Sequence, residues 1–492
     1  MKKGIIVFII LATLGCNKRI VVSNTDNAPA HIQFEIERTK SPITGTVPSQ
    51  NVTNLLFENK INTVKSKATK VYPNTWSSVD DQFATLSVTK IDFDPNNTNI
   101  FYFCTGEGWY NADAARGAGV WKSIDKGETW SRLEATATPD FYYCQDLIVH
   151  PQTSDIYVTT RTGGVMRSRD KGSTWQQVLG ASNGALYNSG ADLELTADGD
   201  VVVSIGIFST DGMYISSTGD QGSWTKIMNG FPLGTERIEI ATAKSNANVM
   251  YAIPQNGNTN KIDGVWKSVD KGQSWIEKEN PGGDNEFAKV QSWYDLIIEV
   301  DPNDENIVVA GGLNIWRSKD GCDSWKQLTE GDYRKKSSLQ YVHVDQHNIV
   351  FQNSDTVYFL NDGGIYKCDN FSADTPILYD VNTNYNVTQF YSCDIHPFTS
   401  KDMVIGGTQD NGTNASTDKN ISPFERVSWA DGGLCAIDYE DPDYVYSTTQ
   451  ERRVYRRHQG VVDTITNFRI TNANTLFINP LVMDATDPNI IY

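Results

Sequence analysis

The chain has 492 residues, which is too long for one small core and suits a large repeat domain or two to three ordinary domains. Its formal charge is −18 with the acidic residues dispersed, a surface that repels phosphate backbones and argues against nucleic acid as a partner. Glycine is frequent (38 residues), aromatics reach 11%, and long amphipathic stretches at helical spacing are scarce, so the composition suits many short strands joined by turns.

The chain opens with MKKGIIVFIILATLGC. Lys2 and Lys3 precede an apolar run from Ile5 to Leu14 that is too short to span a membrane as a mature helix and reads as a secretory signal. A small residue before cysteine, Gly15-Cys16, resembles the lipobox of bacterial lipoproteins. That resemblance implies that residues 1–16 are a lipoprotein-type signal and that Cys16 is the lipidation site, although Thr13 stands where leucine is usual. An ordinary signal with an incidental cysteine is the alternative. No later apolar run reaches ~18 residues, so the expected membrane contact is only through the N-terminal lipid. Residues 17–75 carry no repeat; NTDNAPA and SPITGTVPSQNVTN read as a polar tether, with a small extension domain as the alternative.

From about residue 76 two signals recur. The first is an apolar strand, a turn at Asp-Pro or a substitute, then a strand rich in Val, Ile or Tyr, as in IDFDPNNTNIFYFCTG (91–106), IEVDPNDENIVVAGG (298–312) and IDYEDPDYVYSTTQ (437–450). Anchors at Asp94, His150, Ala197, Lys244, Asp301, Asp345, His396, Asp441 and Asp487 give a mean spacing of about 49 residues. Four strands with turns fill that length, which is the signature of a β-propeller blade. The second signal is a twelve-residue segment, GVWKSIDKGETW (119–130), repeated at 164–175 and 264–275 and worn at 314–325. Its GVWKS part reads as strand three, DKGET as a turn in which Asp accepts amide hydrogen bonds and Gly supplies positive φ, and Trp as the start of strand four.

These segments resemble Asp-box (BNR) repeats, carried by Asp125/Trp130, Asp170/Trp175, Asp270/Trp275 and, with Cys322 at the glycine position, Asp320/Trp325. SSTGDQGSW (216–224) is a copy that has lost a residue. The resemblance covers the chain from about residue 75 and is to exported sialidase-like, sortilin-like and xyloglucanase-like (glycoside hydrolase family 74-like) propellers. It draws also on TGEGWYNADAARGAGVWKSIDKGETW (105–130), GGTQDNG (406–412) and DGGLCAIDYEDP (431–442). It implies an all-β propeller of four-stranded blades in which the boxes are structural and lie away from the working face. The expected layout is a seven-bladed propeller over 76–435, with 436–492 starting a second propeller or further blades. A ten-bladed ring is the alternative. The last copy breaks off at DATDPNIIY (484–492), so the sequence reads as truncated.

Function is then expected on the opposite face, in the loops from strand two to three and from blade to blade. These loops gather aromatic, charged and carboxylate side chains: Trp109, Tyr110, Asp113, Arg116, Tyr187, Trp293, Tyr294 and Asp295. Aromatic rings stack on the apolar faces of sugars and carboxylates accept hydroxyl hydrogen bonds, while the same residue types anchor protein interfaces. The expected partner is therefore a polysaccharide or a cell-surface protein. The xyloglucanase-like resemblance also implies a catalytic carboxylate pair, for which Glu107 and Asp410 hold the matching positions; hydrolysis needs such a pair roughly 5–9.5 Å apart. Glu107 stands where aspartate is expected. The Arg-Ile-Pro motif of sialidases is absent.

No cofactor and no metal is read from the sequence. There is no CxxC pair, HExxH, GxSxG, P-loop or EF-hand loop, and His343 and His347, four apart in a strand region, do not make a ligand set. The six cysteines after Cys16 read as buried free thiols, although export permits disulfides.

Overall fold

In the computed structural model, the described residues are 76, 87–110, 114–283, 287–332, 335, 337–383, 385, 387–396, 403–416, 424–450, 453–458, 461–466 and 476–492. The lipobox, the tether and Asp113 lie outside them. The chain forms two compact units, Asn74–Val387 and a second that holds the described residues of Thr388–Tyr492.

The fold is an all-β propeller architecture. The described residues contain eight four-stranded antiparallel sheets, each with its strands hydrogen-bonded in chain order. Numbered as blades, 1 to 6 occupy 88–132, 144–179, 190–226, 235–278, 297–327 and 346–380 of the first unit; 7 and 8 occupy 390–428 and 432–466 of the second. The expected boundary at 435/436 falls inside the strand Gly432–Ile437, while the Asp441 anchor lies in the turn between that strand and Tyr444–Thr449. The anchor at Asp345 is out of register. It immediately precedes the first strand of blade 6, Gln346–Phe351, and the turn after that strand lies at 352–356.

Within the first unit the core is distributed between neighbouring sheets. Middle strands are buried on both faces, and their alternation sends successive residues to different neighbours. In the strand Val201–Ile205, Val203 joins Tyr157, Val165 and Leu193 between blades 2 and 3, whereas Val202 joins Ile240 and Met250 between blades 3 and 4. Val308 and Val309 divide in the same way, the first packing with Tyr251 and Val265 of blade 4 and the second with Phe359 of blade 6. One sheet could not bury both faces alone, so each blade depends on its neighbours.

The box segments have a common geometry. In blade 1, Ser123 Oγ donates to Asp125 Oδ1 (2.7 Å) and accepts the Gly127 N–H (2.8 Å), while Asp125 Oδ1 accepts the Thr129 N–H (2.9 Å). The same bonds recur around Ser168/Asp170, Ser268/Asp270 and Ser318/Asp320. These bonds hold the Asp125 and Asp170 carboxyls down at about 2, the threonine hydroxyl partners first among the causes. The tryptophans differ. Trp130 and Trp175 donate to the carbonyls of their own turn glycines, whereas Trp275 and Trp325 reach Ile227 O and Glu279 O of the preceding blade or its exit. The shortened copy keeps only part of the pattern: Ser216 Oγ accepts from Gly219 and pairs with Ser223, while Asp220 turns to Arg167 and Arg169.

Of the six cysteines after Cys16, five are buried and Cys393 is exposed; all are free thiols.

Candidate functional site

Sequential antiparallel strands put the one-to-two turns and the box turns at one end of each blade. The two-to-three loops and the blade-to-blade loops lie at the other. In the first unit this second end carries a row of rings drawn from distant parts of the chain. Tyr110 of the blade 1 loop meets Phe208 of the blade 3 loop edge to face at 6.2 Å. Phe208 meets Trp293 at 5.8 Å, Trp293 meets Tyr294 at 5.3 Å, and Tyr294 meets the His347 ring of blade 6 at 5.0 Å. Tyr110 and Phe208 hold positive φ, 63° and 49°, which non-glycine residues seldom adopt.

Beside the row lies a recess of about 400 Å³ lined by Tyr110, Arg161, Tyr187, Asn188, Ile207 and Phe208, among others. Tyr110, Tyr187 and Phe208 are each close to half exposed there (46%, 46% and 45%). The Arg161 guanidinium lies over both Tyr110 (4.2 Å) and Tyr143 (3.9 Å), so a cation in contact with two rings lines the recess. Arg116 stacks on Tyr142 at 3.5 Å, and Arg237 on Trp109 at 3.8 Å. Arg237 also donates to Glu239 (2.9 Å from Nε) and to the carbonyls of Tyr294 and Leu296, tying the blade 1 loop to the entry of blade 5.

The two expected catalytic carboxylates fall in separate compact units. Glu107 closes its own loop: its N–H donates to Ala115 O (2.9 Å) and its Oε2 accepts the Ala115 N–H (3.1 Å). Asp410, at φ 58°, donates its N–H to Asp431 Oδ1 at 3.0 Å. Asp295, an expected rim residue, has no exposed surface, because residues 291–295 form a turn that leads inward to blade 5.

Asp295 belongs instead to an acidic corner at the inner end of the aromatic row. Its Oδ2 accepts from Gln291 Nε2 (2.7 Å), and its Oδ1 has no hydrogen-bond donor. His347 Nε2 and Asp362 Oδ1 are 2.7 Å apart, and one ligating atom each from Asp295, His347 and Asp362 lie within 4.8 Å of one another. Burial, then the charges of Asp345 and Asp362, hold the Asp295 carboxyl well above its ordinary value; burial and Asp362 push Asp345 up to about 6. Burial lowers the His347 pKa, but the Asp362 charge and hydrogen bond outweigh it and the net shift is upward.

Deeper in, the first strands of consecutive blades lie side by side. They bring Lys90, Asp146, Asp192, Glu194, Glu239 and Glu299 within electrostatic reach, with Lys90 paired to Asp146 at 3.2 Å. Burial, then Glu194, pushes Glu299 up to about 8.

The sequence pattern marks the loops and most of the rings but gives no site role to Phe208, Arg161, Arg237 or Asp362; it reads Asp345 as a repeat anchor, and weighs His347 with His343 and sets it aside as a ligand. Asp362 sits in NDGG (361–364), the two-to-three loop of a blade without a box, so no motif marked it. Among described residues, no helix is long and apolar enough to cross a membrane.

Radial four-stranded sheets with an aromatic loop face define a β-propeller protein. The chain belongs to the DUF6242 beta propeller domain family, whose model matches residues 73–352. Among solved structures it is similar to the GH74 xyloglucanase from Xanthomonas campestris (16% identity, TM-score 0.57, 79% of this chain and 62% of that one). It is also similar to an ancestral GH74 enzyme (15%, 0.52, 79% and 56%) and to GH74 from Niastella koreensis (16%, 0.48, 77% and 65%). The chain thus spans less than two thirds of the length of these structures, and at such identity the likeness is one of fold. No curated protein matches by sequence.

Proposed function

We propose that this is an exported, lipid-anchored propeller protein that binds glycan on the loop face of its first unit, in the recess between Tyr110, Tyr187, Phe208 and Arg161. The observation that carries the reading is the convergence of half-exposed rings from three blades around one stacked arginine. Concave, ring-lined recesses with a few fixed polar groups are the usual form of a small-ligand or glycan subsite. A charged guanidinium held by two rings costs little further entropy when it donates to a hydroxyl. A protein partner on the same rim is the competing occupant. Hydrolysis by Glu107 and Asp410 remains the enzymatic alternative, but the Glu107 carboxylate is engaged in its own loop.

The test is a screen of the purified chain against polysaccharides, reading both binding and reducing-end release. Saturable binding that falls at least about tenfold in Tyr110→Ala and Phe208→Ala, with no new reducing ends, is expected. Binding unchanged in both variants would refute the recess. Reducing ends that vanish in Glu107→Gln would establish the enzymatic reading instead. Anchoring is tested separately, by fatty-acid labelling that Cys16→Ser abolishes.

A further inference from the structure

We infer that Asp295, His347 and Asp362, with Asp345 beside them, form a binding site for one divalent transition-metal ion of the zinc or manganese class. Three observations carry this. The first is convergence: a ligating atom from each of Asp295, His347 and Asp362 lies within 4.8 Å of the other two, which is the spacing of ligands around a shared ion. The second is the orphaned acceptor. Asp295 is fully buried, its Oδ2 is satisfied by Gln291, and its Oδ1 has no N–H donor. The Oδ1 of Asp345 is also buried without an N–H donor, and the two carboxyls stand within hydrogen-bond reach of each other, so neither is satisfied when both are ionised. Buried acceptors left unsatisfied cost on the order of 1–3 kcal/mol each, more when charged, so a positive centre at this corner is what the geometry calls for. The third is charge. Three carboxylates share the corner, and the nearest guanidinium, Arg237, is already committed to Glu239 and two backbone carbonyls.

The surroundings suit a metal. The His347 side chain is 31% exposed and Asp362 16%, which leaves a route from solvent to the buried Asp295. Gln291 orients one oxygen of Asp295, and the Tyr294 ring stands edge-on to His347 at 5.0 Å, fixing the imidazole plane. An ion would take the place of the proton shared between His347 and Asp362. Mixed imidazole and carboxylate donors favour zinc or manganese over calcium, which takes six to eight oxygens. The three residues come from the entry to blade 5, the first strand of blade 6 and the two-to-three loop of blade 6, so an ion would also pin those loops together.

The test uses the full mature chain without a histidine tag, stripped with chelator and dialysed. Zinc and manganese are titrated calorimetrically, calcium serves as the control, and bound metal is counted by elemental analysis. Binding of about one zinc or manganese per chain is expected, with a rise in melting temperature on metal addition. His347→Gln and Asp362→Asn should each weaken binding about 10–100-fold and abolish the metal-dependent rise in melting temperature, measured against each variant's own stripped form. Using two variants, both of partly exposed residues, guards against one failing to fold. Substoichiometric binding by the parent chain, binding unaffected by both variants, or a preference for calcium would overturn the assignment. The first of those results would leave the corner as carboxyls that share protons only.

Discussion

At the scale of single residues, the box serine is the hub of its turn. Ser268 is buried, and its Oγ both donates to Asp270 (2.7 Å) and accepts the Gly272 N–H (2.8 Å). Removing it strands the Gly272 amide, releases the longer 3.3 Å bond from the Asp270 amide, and takes from Asp270 Oδ1 one of its two donors. Ser268→Ala is therefore expected to cost about 2 kcal/mol, read from urea unfolding, and a change below about 0.5 kcal/mol would count against the hub role. In the fourth copy the same bond is made to the Cys322 N–H although Cys322 holds φ 72°, so the hydrogen-bond frame, and not glycine itself, defines the turn. The serine–aspartate frame was legible in the sequence, because its partners lie within six residues of the serine; the reach of Trp275 and Trp325 to Ile227 O and Glu279 O was not. Asp362 was not, because its partners Asp295 and His347 come from other parts of the chain and no local pattern joins them.

Elements are held to one another by a few buried polar contacts and close backbone approaches. Arg167, in the third strand of blade 2, is buried against Asp155 of the preceding turn and reaches Asp220 in the shortened box of blade 3 at 3.0 Å. Breaking a buried pair leaves an uncompensated charge, so Arg167→Ala should destabilise the first unit by about 3–5 kcal/mol in denaturant unfolding. In the second unit, GGTQDNG and DGGLCAIDYEDP meet glycine to glycine. A Cβ on Gly407 would lie 1.8 Å from Gly433 O and 2.5 Å from Gly432 O. Gly407→Ala must therefore push two strands apart, at an expected cost of about 3 kcal/mol or loss of soluble protein. The repeat period marked both segments as strands, but only their packing explains why both are glycine pairs.

Across the first unit, the inner strands concentrate carboxyls around two lysines, Lys90 and Lys244. The Glu299 pKa is raised from its ordinary 4.5 to about 8 by burial and by Glu194, and Asp92 is raised to about 6 by burial. A carboxyl whose pKa is higher in the folded state keeps its proton there while the unfolded chain loses it. Stability is then fullest below about pH 4.5 for this group and declines as pH rises toward 8. The melting temperature should accordingly fall between about pH 5 and pH 8, and Glu299→Gln should flatten that slope. A slope that Glu299→Gln leaves unaltered would reject this account.

The sequence by itself determined the blade: its period, its four strands, its box turn, and which loops share an end. Those features follow from alternation and from hydrogen bonds between near neighbours, which a linear pattern records. Tertiary structure alone decided which loop residues meet. The Tyr110–Phe208–Trp293–Tyr294–His347 row and the Asp295 corner join side chains as much as 237 residues apart. Their proximity depends on how successive sheets turn around a common axis, a sum of small packing rotations that no single segment encodes.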